Sequence, residues 1–277
     1  DSTKVEINSR IENYKSLITQ FPHLHFYLFY HQRLPNSEFD PLNQYFPFAD
    51  RGQALAYFEE NKPEELQMTT MLLSGFEEHK LEYYATDHHW NVVGIRVAYN
   101  RAYDLLAQNY QDISPRLNLD TIVTFPEIKM LGSLARESQY PIQPEKFSVF
   151  KLNLPQYSEF LDGKPFPYDH KPEYWEGKYS TKKYQDHYIR FYGDQYDILD
   201  FVSQNGSTRN LLIIGSSYVR PIVPMLASHY QHTYLIDKRK VTDFSLSSFI
   251  QDHPVDDVLF FGDNTVAFTN SLWAIEP

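Results

Sequence analysis

Cysteine is absent from the 277 residues. Disulfides, thiolate catalysis and cysteine-ligated metal centres are therefore excluded. Basic residues are the minority, 25 Lys and Arg against 36 Asp and Glu, and the net charge is −11. That balance excludes a nucleic-acid surface, because phosphate binding needs clustered Lys and Arg. No apolar run approaches the ~18–20 residues of a membrane-spanning helix. Tryptophan (3 residues) and glycine (10 residues) are scarce. The chain opens at Asp1 with neither Met nor an apolar signal segment, so a processed or truncated chain is expected.

What is present is ordinary in its broad balance: 42% apolar and 22% charged residues, which excludes wholesale disorder. The length predicts one domain of residues 1–277, with an insertion or lid at about 110–208. The distinctive feature is aromatic content, 16%, with 22 Tyr and 20 Phe. Tyrosine joins an apolar ring to a polar tip, which suits half-buried layers and sugar-facing or partner-facing surfaces; a Tyr-rich core is the plainer reading.

Hydrophobic spacing then places the elements. Residues 5–21 carry Ile7, Ile11, Tyr14, Ile18 and Phe21 at helical steps. LHFYLFY (24–30) is a continuous apolar run of strand length. A short helix is expected near 54–58, a helix over 63–76, a short strand over 81–85 and a long helix over 91–109. Residues 110–208 lose this rhythm, and their segments 147–154 and 187–193 read as exposed strands. From 211 the pattern is strand (211–214), helix (219–230), strand (232–237), helix ending at Ile250 with Asp243 as its cap, and strand (258–261). Alternation of this kind predicts an α/β fold with a parallel sheet flanked by helices and ligands at the strands' carboxyl ends.

Two spots can carry chemistry. The first is Gly215-Ser216-Ser217-Tyr218, where a buried strand turns into a helix. A serine there is exposed at the sheet edge, close to free backbone N–H groups. It resembles a nucleophile elbow, though the G-x-S-x-G string is missing, and Gly and Ser also serve as plain helix caps. The second is Thr86-Asp87-His88-His89-Trp90. A nucleophilic serine needs a base, and the base needs an orienting carboxylate. Asp87 and His89, two residues apart, can point to one side while His88 points away and serves structure. Two readings compete: Asp87 as a helix N-cap among buried histidines, and a zinc site. Adjacent histidines should diverge, and helical ligand pairs lie four apart, so no metal is expected.

TDHHW followed by N-x-x-G, with RNLLIIGSSY (209–218), LGSLARES (131–138), LASHY (226–230), LIDKR (235–239) and VLFFGDNT (258–265), resembles the DHHW family. That family is SGNH/GDSL-like, alongside the alginate and bacterial peptidoglycan O-acetyltransferases. The resemblance spans about residues 10–270 and implies a three-layer SGNH-like α/β fold. It implies Ser217 as nucleophile, His89 as base and Asp87 as orienter, with no cofactor. Where the family often has Asp before its serine, this chain has Ser216. The order Asp, His, Ser is reversed from ordinary SGNH enzymes, but geometry rather than order defines a triad.

The expected oxyanion donors are the Ser217 amide and, from a loop, Gly132 or Ser133. Arg239, at the sheet's active edge, is expected to bind a carboxylate or polar substrate group. The resemblance implies a serine esterase or O-acetyltransferase acting on a cell-wall or secreted polysaccharide. It also implies a carbohydrate acceptor or acetylated glycan, a membrane acetyl-donor protein as a further partner, and a place outside the membrane with an N-terminal anchor missing. The alternative is a non-catalytic module of the same fold that binds glycan or a protein.

Overall fold

A computed structural model describes residues 2–45, 52–166, 172–175, 181–182, 184–193, 198–237, 239–241 and 244–270. The first half holds α1 (Ser2–Gln20), β1 (His25–His31), α2 (Gln53–Asn61), β2 (Leu66–Met71), α3 (Phe76–Glu82) and α4 (Val92–Ala107). Next come β3 (Ile122–Met130), α5 (Ser133–Ser138), β4 (Glu145–Phe150), β5 (Tyr157–Leu161), β6 (Lys164–Pro165), α6 (Pro172–Trp175) and α7 (His187–Tyr192). The chain continues with β7 (Ile198–Ser203), β8 (Asn210–Gly215), α8 (Val223–Ala227), β9 (His232–Ile236), α9 (Leu246–Asp252), β10 (Asp257–Gly262) and α10 (Asn264–Phe268).

Eight strands form one sheet in the order β2-β1-β10-β8-β9-β7-β5-β6. The first five run parallel, and β7, β5 and β6 join antiparallel. This is the mixed α/β, mostly parallel sheet flanked by helices that the sequence predicts. Its central strands are apolar throughout because both faces are buried. In β8, Leu211 and Ile213 join the core beneath α4, whereas Leu212 and Ile214 pack towards α1, α2 and α9. Within the 110–208 stretch, β5, β6 and β7 extend this sheet, and β3 and β4 pair as a separate antiparallel ribbon. Tyrosine serves the core: Tyr110 and Tyr230 donate to the buried Asp257 carboxylate at 2.6 and 2.7 Å, at the end of the sheet remote from Ser217.

Several local expectations fail for identifiable reasons. Residues 66–71 are an edge strand, not part of a helix, because β1 offers a parallel partner from Phe26–Leu66 to His31–Met71. The helix follows at 76–82 and overlaps the strand that the sequence predicts over 81–85; a bridge from Tyr83 to Trp90 is formed there instead. Residues 187–192 are a buried helix rather than an exposed strand. Asp186 caps it by accepting from the Ile189 amide, and His187, Tyr188, Phe191 and Tyr192 share its inward face. Pro221 and Pro224 shorten the expected helix over 219–230 to α8, preceded by tight turns. The cap of α9 is Ser245; Asp243 lies outside the described residues.

Candidate active site

The site lies where parallel strands end. Gly215 closes β8, and a methyl group there would come within 2.9 Å of Val219 Cγ1 and 3.3 Å of the Phe261 carbonyl oxygen. The close turn therefore needs glycine. Ser217 begins the following turn, with the Arg220 amide donating to its carbonyl at 3.3 Å. No hydrogen bond from the Ser217 amide is found among the described residues, so that N–H is open to an oxyanion.

Asp87, His88 and His89 occupy the turn between α3 and α4. Asn91, not Asp87, caps α4, its side chain accepting from Val93 and Gly94. Asp87 is thereby left for other work. Its Oδ1 accepts from His89 Nδ1 at 2.6 Å and from the His89 amide at 3.0 Å, and its Oδ2 accepts from the Ser133 amide at 2.7 Å. His89 Nε2 lies 2.8 Å from Ser217 Oγ. The structure thus brings together Asp87, His89 and Ser217, the last two 128 positions apart. Burial by itself pushes the Asp87 carboxyl up, but the imidazole and the two amides outweigh it and hold the group far below the usual carboxylate range. Asp87 is thus an anion fixed beside the imidazole, which sets the tautomer with Nε2 free to accept from the serine.

Gly132 and Ser133 do other work than the expected oxyanion binding. The Gly132 amide donates to Thr86 Oγ1 at 3.1 Å and the Ser133 amide to Asp87, so both are spent on the turn that carries the acid. Arg239 does reach the site. Its guanidinium grips the buried Asp237 carboxylate at 2.8 and 2.5 Å and lines a cavity of about 400 Å³ with Ser217, Ser216, His88, Arg33 and Asp263. A larger, mainly apolar groove of about 760 Å³ lies over β5, β7 and β9 and includes neither Ser217 nor His89.

The expected divergence of the two histidines is also corrected. Their ring centroids lie 3.9 Å apart, and His88 Nδ1 is 2.6 Å from Ser133 Oγ. Asp87, His88 and His89 can bring ligand atoms within 4.8 Å of one another. Occupation by a metal would compete with the 2.6 Å contact between Asp87 and His89.

Other residues of the site carry little signal in the sequence. Tyr188 of α7 stacks on the His89 ring at 4.0 Å and 11°, so the 110–208 stretch walls the imidazole. Glu145, at the start of β4, accepts from the Ala85 and Thr86 amides at 2.9 and 2.7 Å and shapes the turn. Arg33 meets Asp263 at 3.3 Å beside the cavity. Only their place in the fold distinguishes these from any other Tyr, Glu or Arg; the apolar and acidic neighbours of Tyr188 in sequence predict nothing about His89.

Three histidines make stability pH-dependent. Burial holds His31, His88 and His229 at about 4, against an ordinary 6.5. Above 6.5 both folded and unfolded forms are neutral; below it the unfolded chain gains protons that the folded chain refuses. Their share of the stability should fall as pH drops from 6.5 to 4, by up to about 3 kcal/mol each for the buried His31 and His229, while Glu82, whose carboxyl is pushed up by burial to about 7, acts in the opposite direction. Asp87, held low, acts in the same direction as the histidines, its contribution being lost only as pH falls below the unfolded value of 3.8. Chemical denaturation of wild type and of His31→Phe at pH 7 and pH 4.5 checks the share of His31; the same pH dependence in both proteins would contradict it.

No protein-family model matches the sequence, and no curated protein matches it. Solved structures do share its fold. Bacillus cereus PatB1 superposes with a TM-score of 0.72 at 19% identity, covering 98% of this chain and 93% of that one. A second PatB1 structure, with a sulfonyl adduct, gives 0.71 at 17% identity, with 98% and 93% covered. A DHHW family protein from Eubacterium siraeum gives 0.65 at 18% identity, covering 95% of this chain and 86% of that one.

Proposed function

We propose that this chain, which has the fold of a DHHW family protein and of PatB1, is a serine-dependent acetyl esterase or O-acetyltransferase. The observation that carries the reading is the continuous hydrogen-bonded chain Asp87–His89–Ser217, at 2.6 and 2.8 Å. Ser217 Oγ attacks the acetyl carbonyl while its proton passes to His89 Nε2. Asp87, fixed as an anion, stabilises the imidazolium that forms. The Ser217 amide faces the developing oxyanion from the turn. His89 then protonates the leaving oxygen and next accepts a proton from water or from an acceptor hydroxyl, which takes the acetyl group. A sulfonyl adduct forms when a nucleophile displaces a leaving group at sulfur, and PatB1 carries one. Ser217 is the side chain of this molecule positioned to do the same.

The acceptor in this reading is a cell-wall or secreted polysaccharide outside the membrane, with an acetyl-donor protein in the membrane as partner. Among the described residues no helix is long and apolar enough to cross a membrane. Arg239 and Arg33, lining the cavity, are the groups available to a polar or carboxylate substituent of the substrate.

The test is turnover of 4-nitrophenyl acetate with intact-mass detection of one acetyl group, mapped to Ser217 in a rapidly quenched sample. Exhaustive EDTA treatment should leave the rate unchanged, since each triad contact is made by side chains alone. A loss restored by zinc would move the chemistry to a metal held by Asp87, His88 and His89. Absence of both turnover and adduct would favour a non-catalytic glycan- or protein-binding module.

A further inference from the structure

We infer that His88 determines acceptor specificity: side by side with His89, it selects acceptors bearing two neighbouring hydroxyl groups, as on a sugar ring, over acceptors bearing one. The inference rests on the acyl-enzyme reading above and concerns only the acceptor half of that reaction.

The geometry is specific. The two rings lie 3.9 Å apart at 36°. Both turn their Nδ1 edges towards one carboxylate, at 2.6 Å (His89) and 3.8 Å (His88) from Asp87 Oδ1. The His88 ring therefore stands beside the base, and it shares the lining of one cavity with Ser217. His89 Nε2 reaches Ser217 Oγ, and His88 lines the cavity beside it. His88 Nδ1 is occupied by Ser133 Oγ at 2.6 Å, and Tyr218 donates its hydroxyl to the His88 carbonyl at 2.7 Å. The ring is therefore held in place before any ligand arrives. Its Nε2 has no partner among the described residues and is not buried, and the His88 side chain is 35% exposed against 5% for His89. Burial, more than the neighbouring His89, holds its pKa at about 4, so at neutral pH it is an uncharged imidazole suited to a hydroxyl.

In the transfer step an acceptor O–H gives its proton to His89 Nε2, and its oxygen bonds to the acetyl carbon. The bond from that carbon to Ser217 Oγ breaks, and His89 returns the proton to Oγ. The attacking oxygen must sit against His89 Nε2. In this inference a second hydroxyl on the adjacent carbon meets the unpartnered His88 Nε2 across the shared cavity, whereas water or a mono-alcohol leaves that nitrogen unmatched. A preorganised site gains most from a ligand that satisfies all of its polar groups.

The test generates the acetyl-enzyme from 4-nitrophenyl acetate and measures transfer to trans-1,2-cyclohexanediol and to cyclohexanol, with fold checked by thermal melting. Wild type should favour the diol by about tenfold beyond the statistical advantage of a second hydroxyl, the worth of one good hydrogen bond. His88→Phe, which keeps a ring against His89 but removes the nitrogen, should abolish that preference, and His88→Gln should recover part of it. No diol preference in wild type, or an unchanged preference in folded His88→Phe, would overturn the inference. Both alcohols are also titrated against Ser217→Ala while the imidazole resonances are followed by NMR. Movement of the His88 signals by the diol alone is expected; a response to neither alcohol, or an equal response to both, counts against the inference. Should wild type release no nitrophenol, the acyl-enzyme reading falls and the resonance measurement alone decides.

Discussion

Ser217→Ala should reduce turnover of 4-nitrophenyl acetate by at least ~10³-fold, because members of a triad act as a unit and loss of the nucleophile removes nearly all that the unit contributes. His89→Ala should cost about as much on the same grounds. The serine variant is the cleaner of the two. Among the described residues the one side-chain bond of Ser217 runs to His89 Nε2 at 2.8 Å, so an alanine there leaves backbone turn and core intact. His89 is buried, with Tyr188 stacked on its ring and the His88 ring tilted against it. Its loss opens a void, and thermal melting must accompany the rate measurement. Asp87→Asn is the third arm, since an amide cannot stabilise the imidazolium and favours the wrong tautomer, which costs ~10⁴-fold in a comparable triad. Equal rates in wild type and Ser217→Ala would end the enzymatic reading in favour of the binding module.

Gly132→Ala should disable the site from a residue that touches no substrate. The added methyl would lie 2.2 Å from Asp87 Cβ and 2.3 Å from its Oδ2, distances that force one of them to move. Backbone conformation is not the obstacle, because Gly132 is extended at φ −75° and ψ −166°. The obstacle is the close approach of the segment before α5 to the acid. Displacing Asp87 breaks its 2.6 Å bond to His89 and its 2.7 Å bond from Ser133 together. We expect a fall in kcat of about 10²-fold or more, with an overpacking cost of roughly 1–3 kcal/mol. Gly75→Ala is the control, since a methyl there meets nothing within 4 Å. A Gly132→Ala protein with wild-type kcat would show that Asp87 does not orient the base.

Much of this molecule is written locally. A strand buried on both faces must be apolar along its whole length, which is why β1, β8 and β10 could be placed from sequence, and with them the sheet's carboxyl edge where Ser217 sits. The contact between Asp87 and His89 is also local, closing over two residues. Elements whose identity depends on a partner could not be read this way. Leu66–Met71 carries a pattern compatible with helix or strand, and only the vacant edge of β1 makes it a strand. His187–Tyr192 became a helix because Asp186 caps it and one of its faces found the core around Phe147. The long-range choices belong to the fold entirely: that the Ser133 amide would go to the acid and the Gly132 amide to Thr86, and that Tyr188 would wall the imidazole. Spacing along the chain encodes which face a side chain occupies; what meets that face is set by packing between segments a hundred or more positions apart, as with Ser217 and His89.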